Sequence, residues 1–278
     1  MYIDVKDGKV ANYNNIWGYI GNPTNAQKWK FVCATHTWNS GVTTKKATCT
    51  TTGTKLYTCM VCGEEKLGTI KATGHTYVES SVPATFNEDG KKEKVCSVCR
   101  NKAESKSIPA PSKITLSTTT YTYNGNAKKP TVKVYDKGGK ELVNGTDFKV
   151  QYQSGRTNVG SYSVKITLMG DYSGEKIVKF KIVPKGTTIS KLTKASKAFT
   201  VKWKKQSAQT SGYQIQYATN KDFNSAKTVT VSGATNTSKK ITGLSKKKTY
   251  YVRIRTYKTV SGTKYTSSWS ASKSVKTK

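Results

Sequence analysis

The chain has 278 residues, with 48 lysines and arginines against 15 aspartates and glutamates and a formal net charge of +33. That length admits two or three ordinary domains or one large barrel. Thr, Ser, Gly, Tyr and Val are plentiful, Leu and Met are scarce, and no long stretch spaces apolar residues at the helical period. The composition therefore excludes a helical bundle and predicts an all-β chain of short strands joined by turns.

Residues 1–32 read as short strands around an Asn-rich middle. The stretch from Tyr2-Ile3-Asp4-Val5 to Gly21-Asn22-Pro23-Thr24-Asn25-Ala26-Gln27-Lys28-Trp29 resembles one repeat of a ricin-type β-trefoil lectin, whose signature is Gln-any-Trp. The resemblance implies a sugar site at Asp4, at Trp17 or Tyr19, and at Asn25. A carboxylate and an amide would bind neighbouring hydroxyls while a ring covers the apolar face of the sugar. A trefoil closes with three repeats and one is present, so this segment is expected to be a partial lectin.

Residues 33–108 hold all six cysteines and both histidines. Gly53 is followed by Cys59-Met60-Val61-Cys62 and Gly90 by Cys96-Ser97-Val98-Cys99, both landmarks shifting by 37 residues. Such self-similarity marks a duplicated unit, and duplicated units more often present surfaces and span distances than perform chemistry. The first unit offers His36, Cys49, Cys59 and Cys62, the ligand set of a tetrahedral structural zinc site. The second offers His75, Cys96 and Cys99, with Phe86 where the first has Cys49. The first site is therefore expected to be complete and the second weakened or lost. His75 lies between the units and is able to complete either; Cys33 is a spare ligand. The pattern resembles the zinc-ribbon-like His/Cys repeats of secreted multi-domain proteins of gut Firmicutes. Structural zinc, disulfide pairing of the six cysteines and a redox dithiol remain three readings, in that order.

Pro109-Ala110-Pro111 marks a boundary and an extended linker. From 109 to 185, strand-like pieces such as Thr131-Val132-Lys133-Val134-Tyr135 and Ser163-Val164-Lys165-Ile166-Thr167-Leu168 alternate with turns at Asn124-Gly125, Gly138-Gly139 and Ser173-Gly174, the pitch of a β-sandwich. Together with Tyr121-Thr122-Tyr123 and Gly170-Asp171-Tyr172 they resemble a bacterial immunoglobulin-like surface module. Asp147 and Asp171 are expected to satisfy backbone groups in turns, with a calcium site as the alternative.

Residues 186–278 resemble a fibronectin type III domain. Trp203 stands where that family buries a tryptophan on its second strand, Gly212-Tyr213-Gln214-Ile215-Gln216-Tyr217 follows as the third, and Leu244 with Tyr250 fits its tyrosine corner.

The cations are nearly all lysine, with arginine only at 100, 156, 253 and 255. Lysine runs occur in every segment, which reads as a solvated, edge-protecting surface and not as a specific nucleic-acid stripe. Loose retention on anionic cell-wall polymers is a further expectation. Met1–Gly8 lack the apolar core of a signal peptide, and no window is long and apolar enough to span a bilayer. The resemblances nevertheless imply a secreted or wall-associated bacterial protein, so the chain is expected to be the C-terminal part of a larger exported one. Its expected role is non-catalytic adhesion or scaffolding, with glycans as partners, zinc as the sole cofactor and no catalytic residues. The alternative is an accessory region of a secreted glycosidase or peptidase whose catalytic domain lies upstream.

Overall fold

The computed structural model describes Ile3–Asp4, Trp17–Gly18 and residues 35–278. Its described residues are all-β, with no helix among them, and none is therefore long and apolar enough to cross a membrane. The chain divides into two compact units, residues 1–79 with 94–103, and residues 80–93 with 104–278.

In the first unit, strands β1 (Ile3–Asp4) and β2 (Trp17–Gly18) pair antiparallel with Asp4 opposite Trp17. Tyr19, Asn25 and Cys33 lie outside the described residues, as do the side chains of Asp4 and Trp17. The first His/Cys repeat forms a three-stranded antiparallel sheet of β3 (Val42–Lys45), β4 (Gly53–Thr58) and β5 (Glu65–Ile70). The second repeat forms the equivalent sheet of β6 (Tyr77–Val82), β7 (Gly90–Cys96) and β8 (Lys102–Ile108).

The duplicated glycines have a steric reason. A Cβ on Gly53 would meet the Lys45 carbonyl at 2.4 Å and the Ala47 nitrogen at 2.5 Å; on Gly90 it would meet the Ala84 nitrogen at 2.3 Å and the Val82 carbonyl at 2.4 Å. In each repeat the chain leading into an Ala-Thr loop crosses directly over the central strand, and only hydrogen leaves room. Thr48 and Thr85 then shape that loop identically. The Thr48 hydroxyl accepts from the amides of Thr50 and Thr51, and the Thr85 hydroxyl from those of Asn87 and Glu88.

The second unit holds two sandwiches. The first pairs a sheet ordered β10 (Thr120–Thr122), β14 (Glu175–Val183), β13 (Gly160–Leu168), β12 (Phe148–Tyr152) with a hairpin-like pair of β9 (Pro111–Leu116) and β11 (Val132–Asp136). Alternation places Val164, Ile166 and Phe180 in a core with Val134 and Phe148, all essentially inaccessible to water. Pro109-Ala110-Pro111 is not an open linker. Ala110 is fully buried, its amide donates to Asp89 at 2.7 Å, and Pro111 begins β9. Asp147 accepts from the Val143 amide at 2.8 Å as a turn residue, whereas Asp171 pairs with Lys92 at 2.6 Å.

The second sandwich packs β15 (Ile189–Ala195), β16 (Ala198–Trp203) and β19 (Ser238–Ile241) against β18 (Lys227–Ser232), β17 (Gly212–Ala218), β20 (Thr249–Val260) and β21 (Thr263–Thr266), with β22 (Lys273–Lys276) pairing β20. Trp203 is buried on β16 among Tyr213, Ile215 and Ile254. The Tyr250 hydroxyl accepts from the Ser245 amide at 3.1 Å, forming the tyrosine corner.

Candidate metal centres

Two clusters of thiols and imidazoles assemble in the first unit. His36, Cys59 and Cys62 form one; Cys49, His75, Cys96 and Cys99 form the other, and in each the potential ligand atoms lie within 4.8 Å of one another. The expected allocation is thus reversed. Cys49 does not join its own repeat but closes the site of the next, so the cluster expected to be impaired by Phe86 has three thiols and one imidazole.

Backbone pairing explains the transfer. The Thr73 amide donates to the Thr48 carbonyl at 2.9 Å and the Gly74 amide to the Cys49 carbonyl at 3.1 Å. The Ala-Thr-Cys loop of the first repeat is thereby laid against the extended segment that leads into His75, the first ligand of the second repeat. The corresponding loop of the second repeat pairs its backbone with a different neighbour. Ala84 donates to the Asp171 carbonyl at 2.9 Å, and Ser173 donates to the Ala84 carbonyl at 2.8 Å. Phe86 packs on the apolar core of the first sandwich, under the Lys176 ammonium. Where a further repeat would need a thiol, this loop carries a ring that fits a hydrophobic neighbour.

Each Cys-any-any-Cys turn is built alike. Cys59 donates to Glu64 at 2.7 Å and Gly63 donates back to Cys59 at 3.0 Å; Cys96 donates to Asn101 at 2.8 Å and Arg100 to Cys96 at 3.0 Å. Gly63 adopts φ +76° and its counterpart Arg100 φ +62°, the left-handed bend that turns both sulfurs inward. Amides inside these turns point at the first thiol. Hydrogen bonding from the Cys62 amide holds Cys59 down to about 6, and the Cys99 amide, followed by His75, holds Cys96 down to about 5. Burial pushes the Cys49 thiol up, reinforced by its neighbours Cys99 and Cys96. An amide-stabilised thiolate is the ligand form, and a buried thiol among other thiols gains from a cation.

The histidines are held by what surrounds them. His36 stacks on Trp38 with centroids 5.0 Å apart, and His75 lies 5.3 Å from Tyr77. His36 Nδ1 is 3.5 Å from Cys62 Sγ, while its Nε2 faces Glu64 at 3.6 Å, the carboxylate partner that orients a ligating imidazole.

The spacings fit one tetrahedral ion. A Zn–S length of about 2.3 Å and a Zn–N length of about 2.0–2.1 Å place neighbouring sulfurs about 3.8 Å apart, and sulfur and nitrogen about 3.6 Å apart. Cys49 and Cys96 sulfurs are 3.8 Å apart, and the Cys99–His75 and Cys62–His36 contacts are 3.3 and 3.5 Å. A disulfide needs about 2.05 Å between sulfurs, and the five described cysteines are free thiols.

Comparison with known proteins bears on the last sandwich. Residues 182–273 match the fibronectin type III domain. No curated protein matches the chain. Among solved structures, it is similar to the FN1–FN3 domains of chicken CNTN1 (13% identity over 87% of this chain and 99% of that one, TM-score 0.32) and to domains A168–A170 of titin (14% identity, 85% and 96%, TM-score 0.27). The fibronectin type III domain is typically a non-catalytic scaffold module.

Proposed function

We propose that this chain is a non-catalytic spacer and scaffold region of an exported or wall-associated protein, with structural zinc stapling its His/Cys repeats in series. The observation that carries this reading is the forward donation of Cys49 to His75, Cys96 and Cys99. A site whose ligands come from two consecutive repeats resists their separation, which suits a segment that holds one end of a protein away from another. When bound, zinc supplies charge neutralisation and cross-linking. Four protein ligands leave no open position for a substrate, as a structural site requires. Around it, the chain's residues preorganise thiolates with turn amides and orient the imidazole against an aromatic ring.

The adhesive role, the glycan partners and the bacterial source belong to this proposal; a sugar site would involve Asp4, Trp17 or Tyr19, and Asn25. Metal analysis of protein purified without added zinc, with thiol titration before and after a chelator, tests the metal reading. We expect about one tightly held zinc per chain, three thiols exposed together on chelation, and loss of that zinc in Cys49→Ala. Protein carrying no zinc, or losing none on Cys49→Ala, refutes it.

A further inference from the structure

The fibronectin type III module is charged in a way that the total for the chain conceals. From residue 186 to 278 there are eighteen lysines and two arginines, and Asp222 is the only aspartate or glutamate. In the preceding sandwich lysines meet carboxylates, as Lys133 meets Glu141 at 3.1 Å, Lys165 meets Glu175 at 2.7 Å and Lys137 meets Asp89 at 3.1 Å. Past residue 186 a single side-chain carboxylate serves every cation.

The fold gathers six of these lysines at one end of the sandwich. Lys278 donates its amide to Ala195 at 2.9 Å, Lys197 to Lys278 at 3.3 Å, Leu244 to Lys197 at 3.0 Å and Thr277 to Lys248 at 3.1 Å. The Thr277 hydroxyl adds a bond to the Ser245 carbonyl at 2.7 Å. Three chain segments are thereby stitched side by side, and Lys194, Lys197, Lys246, Lys247, Lys276 and Lys278 stand exposed on them. Lys197 and Lys247 occupy left-handed turn positions at φ +48° and +54°, where glycine or asparagine is the usual occupant. Beside them, an open groove of about 500 Å³ runs between β15 and β22, lined by Lys191–Lys194 and Val275–Lys278.

Cations crowded without counter-charge repel one another, and a polyanion relieves that repulsion while releasing its own condensed counterions. The chemistry of the patch narrows the polymer. Lysine is a point-charge donor suited to phosphate; reading or stacking bases calls for guanidinium forks and free rings. Both arginines of the module are engaged elsewhere. Arg253 donates to Gln216 at 2.7 Å and covers Phe223 at 4.0 Å, and Arg255 donates to Gln214 at 2.8 Å and covers Trp269 at 4.2 Å. Trp203 and Tyr250 are buried.

We propose that this lysine-lined end of the fibronectin type III module binds a flexible phosphate polymer lacking bases. This goes beyond the spacer role and does not depend on metal binding. The test is binding of the full chain to long-chain inorganic polyphosphate across a salt series, beside single-stranded DNA of matched phosphate number. With four phosphates engaged, affinity should fall roughly 50-fold between about 50 and about 200 mM salt, from a slope near −0.7 per phosphate. Lys246→Glu with Lys276→Glu should weaken binding at least about tenfold and reduce the salt slope by about half. The charge-matched pair Lys204→Glu with Lys205→Glu, which follows β16 at the opposite end, should do far less. Equal losses from the two pairs would show diffuse attraction and overturn the site; tighter binding to DNA than to polyphosphate would overturn the ligand class; salt-insensitive or absent binding would overturn both.

Discussion

Cys49 and Cys96 are 47 residues apart in the chain, yet their sulfurs lie 3.8 Å from one another. The nearer partner by sequence is Cys59, only ten residues on, and it belongs to the other cluster. The repeat is therefore not a self-contained metal module. Its Ala-Thr-Cys loop reaches forward, and its contacts are set by the next element of the chain.

Replacing Cys49 by Ser separates the two clusters functionally. Serine keeps the loop's shape and removes the thiolate, so metal should be lost from His75, Cys96 and Cys99 while His36, Cys59 and Cys62 keep what they hold. Competition titration against a zinc-binding dye should show the tighter class weakened more than about 100-fold, above the 10–100-fold typical of changes to groups that only orient a ligand. Unchanged affinity would return Cys49 to its own repeat.

Glu64→Gln tests the other cluster. Its carboxylate faces His36 Nε2 at 3.6 Å, and the amide keeps the size while removing the charge that makes the imidazole a better ligand. Affinity at the first cluster should fall about 10–100-fold, with the second unaffected.

Acid should empty the clusters in a fixed order. Cys59 and Cys96 are held below the ordinary thiol value of 9.0, at about 6 and about 5. For such depressed groups the stabilisation is complete above 9.0 and is lost as pH falls through the folded value, because protons then displace the thiolate. Zinc release monitored during acidification should begin at the cluster containing Cys59, which has three described ligands, and reach the four-ligand cluster containing Cys96 at lower pH, both below the metal-free thiol values because bound zinc competes with protons. The Cys49→Ser protein should show only the earlier step.

Much of the fold was legible because its causes are local. Gly212–Tyr217 announced β17, and Trp203 and the Leu244–Tyr250 spacing announced the last sandwich. The 37-residue offset announced two equivalent knuckles, each with a histidine set against an aromatic ring two residues later. The ligand allocation was not legible, since it depends on Thr73 and Gly74 pairing with Thr48 and Cys49, bonds between main-chain groups that any residue can make. Phe86 reads in sequence as a lost ligand; its packing on the sandwich core shows an apolar contact substituted for a metal bond. Pro109-Ala110-Pro111 read as a linker because proline favours extended chain, yet extended chain is also what begins β9. The lysines read as evenly spread because counting cations misses where the acids are absent.

The duplicated glycines give a test that joins packing to metal binding. Gly53→Ala places a methyl 2.4 Å from the Lys45 carbonyl and 2.5 Å from the Ala47 nitrogen, both backbone atoms unable to rotate away. The loop must lift, at a cost of about 1–3 kcal/mol as in other overpacked sites. That loop carries Cys49, so the damage should appear at the cluster of the following repeat, as weaker zinc binding at His75, Cys96 and Cys99. Gly90→Ala meets the Ala84 nitrogen at 2.3 Å and lifts a loop that carries Phe86 instead. It should lower the melting temperature of the sandwich-containing unit with little effect on zinc affinity. Calorimetry and dye competition on the two variants separate these outcomes. If both variants lose zinc equally, the loops do not act forward and the serial coupling of the repeats fails.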